Sequence, residues 1–289
     1  MSPPRSEGAP APARVALADL LERYDGLLID SYGVLVDGRG ALPGAAALIA
    51  ELERRGARYL IVTNDASRRP GTAAARYRRF GIEVAAGHFL GSGDLIAPHF
   101  AARGLTGARC LVLGTDDSRQ LVAEAGGQVC AIDPAADYDA VVVCDDDGFP
   151  FLEGINAALS ALFRAFDAGR AVELVLPNPD IIYPAGDGAF GFTSGAIGVL
   201  LEAALARRYP LAPPRFTRLG KPHRPLYDEA VRRLGSARPL MIGDQLETDI
   251  AGALACGIDA ALLVTGVTRW QDASAAAGVV PTYLLESLA

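Results

Sequence analysis

Residues 27–38 have the sequence LLIDSYGVLVDG, in which a short apolar run ends at Asp30 and a glycine follows at position 33. An apolar run of this length, closed by a turn signal, predicts a strand that is buried on both faces of a parallel sheet. In open α/β sheets the carboxyl ends of such strands border the ligand crevice. Asp30 is therefore expected at the tip of a central strand, where it could meet a substrate or simply cap a turn.

The segments that follow alternate between amphipathic helices and apolar strands. A helix is predicted over residues 43–55, a second buried strand over 59–62 and a further helix over 70–80. Pro43 begins the first helix and Gly56 follows its end, an asymmetry that is typical of helix termini. This βαβα order predicts the α/β class, with a doubly wound, Rossmann-like parallel sheet.

A second series of strands and helices begins near residue 91 and is long enough for an independent domain. Proline and small residues dominate the N-terminus, so a disordered tail is expected there. A core pattern resumes with a helix predicted over residues 196–207. The predicted division is a tail over residues 1–14, a core domain over 15–90 and 187–289, and an inserted α/β domain over 91–186.

Composition excludes several classes of function. The chain of 289 residues carries a net charge of −7, whereas a nucleic-acid-binding domain is expected to be basic. No apolar run has the length of a membrane span, and the N-terminus lacks the apolar core of a signal peptide. We therefore expect a cytoplasmic protein that binds neither nucleic acid nor membrane.

Polar side chains also follow three later predicted strands. They are Thr63 with Asn64, Lys221, and Asp244 with Asp249. A strand-end carboxylate can form an aspartyl-phosphate, and two further acids supply the oxygen ligands that Mg²⁺ prefers. A lysine, a hydroxyl and an amide can stabilise the phosphoryl oxygens. Each residue alone could be a solvated cation or a cap, but the ordered set predicts phosphoryl transfer.

These motifs resemble those of the haloacid dehalogenase superfamily, in its NagD-like branch (class IIA). The matching stretches are DSYGVL at 30–35, VTNDAS at 62–67, PNPD at 177–180, SGAI at 194–197, GKP at 220–222 and GDQLETDI at 243–250. The similarity covers residues 24–268. It implies that the inserted domain is a C2-type cap, which closes over the core, excludes water and selects the substrate. Relatives often dimerise through this cap, so a homodimer is one expected assembly.

The resemblance also implies a role for each matched residue. Asp30 would be the nucleophile and a ligand of Mg²⁺, and the backbone carbonyl of Tyr32 a second ligand. Asp244 would be the acidic metal ligand, and Asp249 would act on the metal through water. The implied catalytic residues are Asp30, Tyr32 and Lys221, and the implied phosphate-binding residues are Tyr32, Gly33, Thr63, Asn64, Asp65 and Lys221. The implied substrate is a small phosphorylated metabolite.

The sequence departs from the family pattern at Tyr32, where the family phosphatases carry an aspartate. That aspartate protonates the leaving oxygen and then activates the water. A phenol titrates near pH 10, so it is rarely an ionised base at neutral pH, and loss of a positioned acid/base costs about 10²–10⁴ in rate. Asp65 is the nearby candidate for a replacement base, although it could equally be a helix N-cap.

Two functions therefore remain open. The first is a Mg²⁺-dependent phosphatase that works slowly through an aspartyl-phosphate, and it is favoured by the intact nucleophile and metal set. The second is a weakly active or inactive protein that binds a phosphorylated ligand, and it is favoured by Tyr32. Cleavage of carbon–phosphorus or carbon–halogen bonds is a third reaction of the superfamily, against which the expected cap type argues.

One further acidic run, Asp145-Asp146-Asp147, ends a strand of the inserted domain. It could face the substrate, but a solvated loop is the first expectation for three consecutive aspartates.

Overall fold

The fold is described from a computed structural model, which covers residues 12–186, 189–266, 268, 270 and 278–288. Residues 12–91 contain β1 (Ala13–Val15), α1 (Leu17–Arg23), β2 (Gly26–Ile29), α2 (Ala45–Arg55), β3 (Arg58–Thr63), α3 (Pro70–Arg79) and β4 (Phe89–Gly91). Residues 92–218 contain α4 (Ile96–Arg103), β5 (Arg109–Leu113), α5 (Asp116–Glu124), β6 (Gln128–Val129), β7 (Ala140–Val143), α6 (Phe151–Asp167), β8 (Glu173–Leu176), β9 (Ile182–Gly186), β10 (Ala189–Phe192), α7 (Ser194–Arg208) and β11 (Thr217–Arg218). The remainder contains α8 (Arg224–Leu234), β12 (Pro239–Gly243), a π-helical turn (Leu246–Ile250), α9 (Ala251–Ala255), β13 (Asp259–Leu263) and β14 (Tyr283–Leu285).

The first sheet has the strand order β1-β14-β13-β12-β2-β3-β4, and every pair in it is parallel. All four residues of β2 are buried. Leu28 packs on one face of the sheet, while Leu27 and Ile29 pack on the other, as the two-residue period of a strand requires. The prediction of a parallel α/β sheet around residues 27–30 is confirmed.

A second parallel sheet has the order β11-β8-β7-β5-β6, and β9 with β10 forms a separate antiparallel hairpin. One hydrophobic cluster joins the two sheets, because it includes Leu28 and Val62 of the first and Val112 and Val142 of the second. We call the first sheet with its helices the core layer, and the second sheet with the hairpin and its helices the upper layer. In the part of the chain that the structure describes, no helix is long and apolar enough to cross a bilayer.

Two predicted boundaries are wrong. The sequence analysis placed residues 187–289 in the core, yet β11 pairs with β8 of the second sheet and α7 packs in the hydrophobic cluster of that sheet. The helical period of α7 predicts a helix but carries no information about which sheet it covers. The predicted tail over residues 1–14 is also wrong for Ala13 and Arg14, which pair with β14; residues 1–11 lie outside the described residues.

Candidate active site

The predicted polar strand ends converge at the carboxyl edge of the first sheet. Asp30 follows β2, Asn64 follows β3 and Asp244 follows β12, and these three strands are neighbours in the sheet. Lys221 and Asp249 come from the segments between strands. All five side chains are buried, although the chain separates the first from the last by more than two hundred residues.

Lys221 joins two of the carboxylates. Its Nζ donates to Asp30 Oδ1 at 2.5 Å and to Asp249 Oδ1 at 2.6 Å. Burial alone would lower the pKa of Lys221, but the carboxylates of Asp249 and Asp30 outweigh that effect and hold the pKa well above its usual value. The lysine is therefore a fixed cation beside the candidate nucleophile.

The same carboxylates form a candidate site for a divalent cation. Asp30, Asp244 and Asp249 each offer an oxygen, and these three oxygens lie within 4.8 Å of one another. Burial raises the pKa of Asp30 well above its usual range, Lys221 opposes that shift, and the other two acids add to it. Three buried carboxylates around one lysine match the hard oxygen ligands that Mg²⁺ prefers, and a cation would relieve their repulsion.

Close packing around Asp244 explains the glycine at position 33. Gly33 has φ +90°, and a Cβ there would lie 2.1 Å from Asp244 Oδ2. Its N–H donates to the carbonyl of Val36 at 2.9 Å, and the residue does not line the cavity described below. The structure therefore does not support the phosphate-binding role predicted for Gly33, which instead permits the approach of the backbone to Asp244.

Asn64 positions Lys221. Its Oδ1 accepts from the Lys221 N–H at 2.7 Å, and its Nδ2 donates to the Lys221 carbonyl at 3.0 Å. The same Nδ2 donates to Asp180 Oδ1 at 2.9 Å, and a Cβ at Gly220 would lie 2.5 Å from Asn64 Oδ1. The Asn64 amide therefore fixes the loop that carries the lysine, in addition to lining the cavity.

Asp65 holds the turn after Asn64. Its Oδ1 accepts from the N–H and hydroxyl of Ser67 at 2.7 and 2.6 Å, and its Oδ2 accepts from Arg68 Nη1 at 2.8 Å. Thr63 Oγ1 accepts from the Asp65 N–H at 3.2 Å. Asp65 is not the N-cap of α3, since that position is Arg69. Both oxygens of Asp65 are thus engaged within the turn.

Tyr32 faces Arg76 at the side of the site. The Arg76 guanidinium lies 5.4 Å from the centre of the Tyr32 ring and 5.1 Å from that of Phe80. Its Nη2 donates to the Tyr32 hydroxyl at 3.4 Å. A cation over the ring and a donor at the oxygen fix the orientation of the phenol.

A cavity of about 480 Å³ opens above Asp30 between the two layers. The core layer contributes Tyr32, Thr63, Asn64, Asp65 and Lys221 to its lining. The upper layer contributes Thr115, Asp145, Asp146, Asp147, Asp180 and Tyr183. Asp145 and Asp146 are partly buried, so the expectation of a solvated loop is wrong for both and holds only for the exposed Asp147.

Hydrogen bonds hold the two layers together beside this cavity. Thr115 Oγ1 donates to the Ser67 carbonyl at 2.6 Å, and Ser118 Oγ donates to the Ala66 carbonyl at 2.8 Å. The N–H of Arg69 donates to Asp117 Oδ2 at 3.0 Å. The loop after β3 is therefore fixed against the first turn of α5.

Two carboxyl groups in the cavity have no catalytic role among the sequence predictions: Asp145, which was expected only as a loop residue that could face the substrate, and Asp180. Burial raises the pKa of Asp145 to about 7 and that of Asp180 to about 6; the Lys221 ammonium opposes the second shift. Asp145 directly follows the end of β7's apolar run and Cys144, much as Asp30 follows β2. That shared position at a parallel strand end is the signal that could have identified Asp145.

Sequence comparison gives matches along most of the chain. A family profile described as haloacid dehalogenase-like hydrolase matches residues 27–128, and one described as HAD-hydrolase-like matches residues 218–289. Chronophin from Homo sapiens is 33% identical, and the match covers 95% of this chain and 94% of chronophin.

Solved structures of phosphatases are also similar to this chain. A possible sugar phosphatase of the HAD superfamily from Cytophaga hutchinsonii has a TM-score of 0.82 and 29% identity, with 96% of this chain and 99% of that chain covered. A glycerol phosphate phosphatase from Mycobacterium tuberculosis, solved in complex with magnesium, has a TM-score of 0.77 and 30% identity. The match covers 93% of this chain and 76% of that chain. The similarity in structure therefore extends over both layers.

Proposed function

Because the chain belongs to the haloacid dehalogenase-like hydrolases, we propose that it hydrolyses a small phosphorylated metabolite through an aspartyl-phosphate on Asp30. The observation that carries this proposal is the buried contact of Lys221 with Asp30 and Asp249, at the carboxyl edge of a parallel sheet. A nucleophilic carboxylate beside a fixed cation, at the floor of a cavity, is the arrangement that phosphoryl transfer needs.

Mg²⁺ is the proposed cofactor. Asp30, Asp244 and Asp249 would hold it, either directly or through water, with the Tyr32 carbonyl as a further proposed ligand. When bound, the cation supplies positive charge that neutralises the phosphoryl oxygens. This role is supported by the donor set of this chain and by a related structure that contains magnesium.

The chain's own residues then account for the two chemical steps. In the first, Asp30 forms a bond to phosphorus while the bond to the leaving oxygen breaks, and that oxygen takes up a proton. In the second, water attacks phosphorus, releases Asp30 and yields inorganic phosphate. Lys221 stabilises the phosphoryl oxygens, and Asn64 holds the lysine in place.

Residues 92–218 are the proposed cap. They supply the upper wall of the cavity, including Asp145, Asp180 and Tyr183, and differences in such a wall would select the substrate. The predicted homodimer through this layer, and the absence of nucleic-acid or membrane partners, stay predictions. Light scattering coupled to gel filtration would test the dimer.

A screen of phosphate esters with Mg²⁺ present tests the activity, and rapid-quench kinetics with an activated aryl phosphate tests the mechanism. We expect a burst of leaving group, followed by slow turnover, with radiolabelled phosphate trapped on Asp30. Asp30→Asn should abolish burst and trapping, whereas Asp19→Asn, which removes an exposed charge from the same layer, should leave both unchanged.

The alternative function is a phosphorylated-ligand binder without turnover, and the observation that favours it is the phenol of Tyr32 in place of an acid. It would be supported by tight binding of phosphate esters with no burst in the parent protein. In that case Tyr32→Asp should create turnover that the parent chain lacks.

A further inference from the structure

Hydrolysis at this site needs a group that gives up one proton and later takes one back. The side chain at the usual position is the phenol of Tyr32, which is held by Arg76. Among the described residues that line the cavity, the carboxyl groups other than Asp30 are those of Asp65, Asp145, Asp146, Asp147 and Asp180. Asp147 is exposed, and the other carboxyl groups differ in the side chains that contact them, so they can be compared as candidates for proton transfer.

Asp65 and Asp180 have other partners. Asp65 accepts hydrogen bonds on both oxygens and forms an ion pair with Arg68 at 2.8 Å, so both of its oxygens are engaged within the turn. Asp180 accepts from Asn64 on the side of the cavity where Lys221 lies. Both carboxyl groups are therefore already engaged by groups of the core layer.

Asp145 differs from Asp65 because it lies in the opposite wall of the cavity. It differs from Asp180 because, in the described part of the chain, it does not bond to the residue that positions Lys221. Its Oδ1 accepts the N–H of Asp146 at 2.8 Å, and no comparable ion pair holds it within the described residues. The strand end that carries it is fixed, since the Cys144 N–H donates to the Leu113 carbonyl at 2.8 Å. The following turn packs against Thr115, which is itself bonded to the core layer.

The turn also requires a glycine. Gly148 has φ +84°, and a Cβ there would lie 2.6 Å from the Cα of Thr115. Backbone therefore packs directly on backbone at this point. Through Thr115 and Ser67, the loop that carries Asp145 has a fixed position relative to the loop after β3. A proton carrier needs this kind of rigid placement.

We propose that Asp145 is the general acid and base of this hydrolase, supplied by the upper layer in place of the aspartate missing at Tyr32. This proposal rests on the proposed phosphatase function. In the first step the Asp145 carboxyl gives its proton to the leaving oxygen as the bond from that oxygen to phosphorus breaks. In the second, the Asp145 carboxylate takes a proton from the attacking water as the bond between phosphorus and Asp30 breaks, which leaves Asp145 protonated again and Asp30 as a carboxylate.

The electrostatic surroundings agree with this assignment. Burial raises the pKa of Asp145 to about 7, the neighbouring Asp146 carboxyl adds to the shift, and the Ser67 hydroxyl opposes it. A general acid/base works best when its pKa lies near the working pH. The other titratable or charged groups that interact with this part of the wall are Cys144, Arg68, Asp147, Tyr183 and Tyr32.

The test compares Asp145→Asn with Asp116→Asn, which removes an exposed charge at the start of α5. In Asp145→Asn we expect steady-state turnover of alkyl phosphates to fall by about 10²–10⁴. Aryl phosphates with good leaving groups need no acid, so their burst should persist while the phospho-enzyme decays more slowly. Asp116→Asn should match the parent protein in each measurement.

A pH profile and a rescue variant separate proton transfer from a structural effect. The kcat/KM of the parent protein for alkyl phosphates should fall as the pH rises through about 7, because the acid is then ionised. In Asp146→Asn this fall in kcat/KM should occur at lower pH, because the substitution removes a neighbouring acid that raises the pKa of Asp145. The double variant Asp145→Asn/Tyr32→Asp should recover turnover by restoring a carboxyl group beside the nucleophile.

The outcomes distinguish this proposal from the proposed function. Phosphate could be trapped on Asp30 while the phospho-enzyme of Asp145→Asn decays, and the variant turns over esters, as fast as in the parent protein. In that case the role of Asp145 is overturned and the phosphatase mechanism stands. If the parent protein neither traps phosphate nor turns over any ester with Mg²⁺, both are overturned. An Asp145→Asn defect with an unchanged pH profile and no rescue by Tyr32→Asp would also refute proton transfer by Asp145.

Discussion

Lys221 lies between Asp30 and Asp249, and none of these three residues is more than 4% exposed. Two carboxylates at this depth depend on the lysine for their counter-charge when no metal is bound. Removing one member of a buried ion pair leaves an uncompensated charge, which costs far more than the pair contributes. The stability of the metal-free protein should therefore depend on the lysine.

We predict that Lys221→Met lowers the free energy of unfolding by about 3–5 kcal/mol in the presence of a chelator. Urea denaturation measures the change, and Arg224→Met, which removes an exposed cation, is the control. The double variant Lys221→Met/Asp30→Asn should regain part of the loss, because one of the two charges is then absent. Equal destabilisation in the single and double variants would contradict this account.

Asp180 should make stability depend on pH. Its pKa is about 6 in the folded protein, above the value near 3.8 expected for an unperturbed aspartate. The cost of ionising the buried carboxyl group is therefore absent below about pH 4, grows as the pH rises towards 6 and is constant above that. Asp180→Asn removes the cost and keeps an oxygen that can accept from Asn64.

The expected result for Asp180→Asn is an increase in the free energy of unfolding on the order of 2 kcal/mol at pH 7.5, with little change at pH 4. Urea denaturation of the variant and the parent protein at both pH values measures this difference in the free energy of unfolding. A difference between variant and parent that is the same at both values would show that ionisation of Asp180 is not the cause.

The phenol of Tyr32 is expected to contribute little to proton transfer. Tyr32→Phe keeps the ring against Arg76 and removes only the hydroxyl. Its steady-state turnover should stay close to that of the parent protein, because the proposed proton carrier lies on the opposite wall. A loss of the order of 10²-fold in kcat would instead identify the phenol as the acid.

At the level of elements, the hairpin of β9 and β10 forms part of the cavity wall. Tyr183 of β9 lines the cavity, and a Cβ at Gly191 of β10 would lie 2.5 Å from its ring. Position 191 of β10 therefore has to be a glycine, because any side chain there would clash with the Tyr183 ring. The hairpin also reaches the core layer, where a Cβ at Gly38 would lie 3.0 Å from the Ala185 carbonyl.

Gly191→Ala should displace the Tyr183 ring and raise KM for phosphate esters by roughly tenfold, the effect of about 1.4 kcal/mol of binding energy, with a smaller effect on kcat. Tyr183→Ala should give a similar change, whereas Phe190→Ala on the same hairpin should not, because Phe190 is exposed and does not line the cavity. Steady-state kinetics on the best ester from the screen measures both constants. A Gly191→Ala variant with the parent KM would show that the ring does not contact the substrate.

Sequence periodicity predicted most of these elements but not their partners. The apolar runs at residues 59–62 and 240–242 predicted strands, which extend over Arg58–Thr63 and Pro239–Gly243, because strands buried on both faces are continuous apolar segments. The strand predicted at residues 217–219 corresponds to β11, but the three-residue strands β1 and β14 are too short to give a periodic signal. The hairpin of β9 and β10 was missed for a different reason: its large apolar side chains Ile182, Phe190 and Phe192 are exposed, so no buried face gives it a period.

At the level of the whole molecule, the metal site should couple ligand binding to folding. Asp244 is fully buried, and the site brings Asp30 together with Asp244 and Asp249 from a distant part of the chain, so it does not exist in the unfolded protein. A ligand that binds only the folded state stabilises it by mass action.

Magnesium at about one hundred times its Kd should therefore add about 2.7 kcal/mol, or roughly 5–10 °C in Tm for a chain of this size. Differential scanning fluorimetry in chelator and in Mg²⁺ gives the shift. Asp244→Asn should lose most of it, and Asp116→Asn should keep it. An equal shift in all three proteins would place the stabilising cation elsewhere.

Local sequence patterns were sufficient to predict the α/β class, the parallel core sheet and the convergence of Asp30, Lys221, Asp244 and Asp249. They could do so because strand ends follow apolar runs, and because the carboxyl ends of parallel strands meet at one edge. Those are local properties of the chain.

Only the tertiary structure decided that β11 and α7 belong to the upper layer, that Asn64 holds Lys221, and that Asp145 lies in the same cavity as Asp30. Each of these depends on contacts between segments far apart in sequence, and on burial that no local pattern encodes. An aspartate in an acidic run is a solvated charge by default. It becomes a candidate proton carrier only when the core layer packs against the upper layer that carries it and removes water.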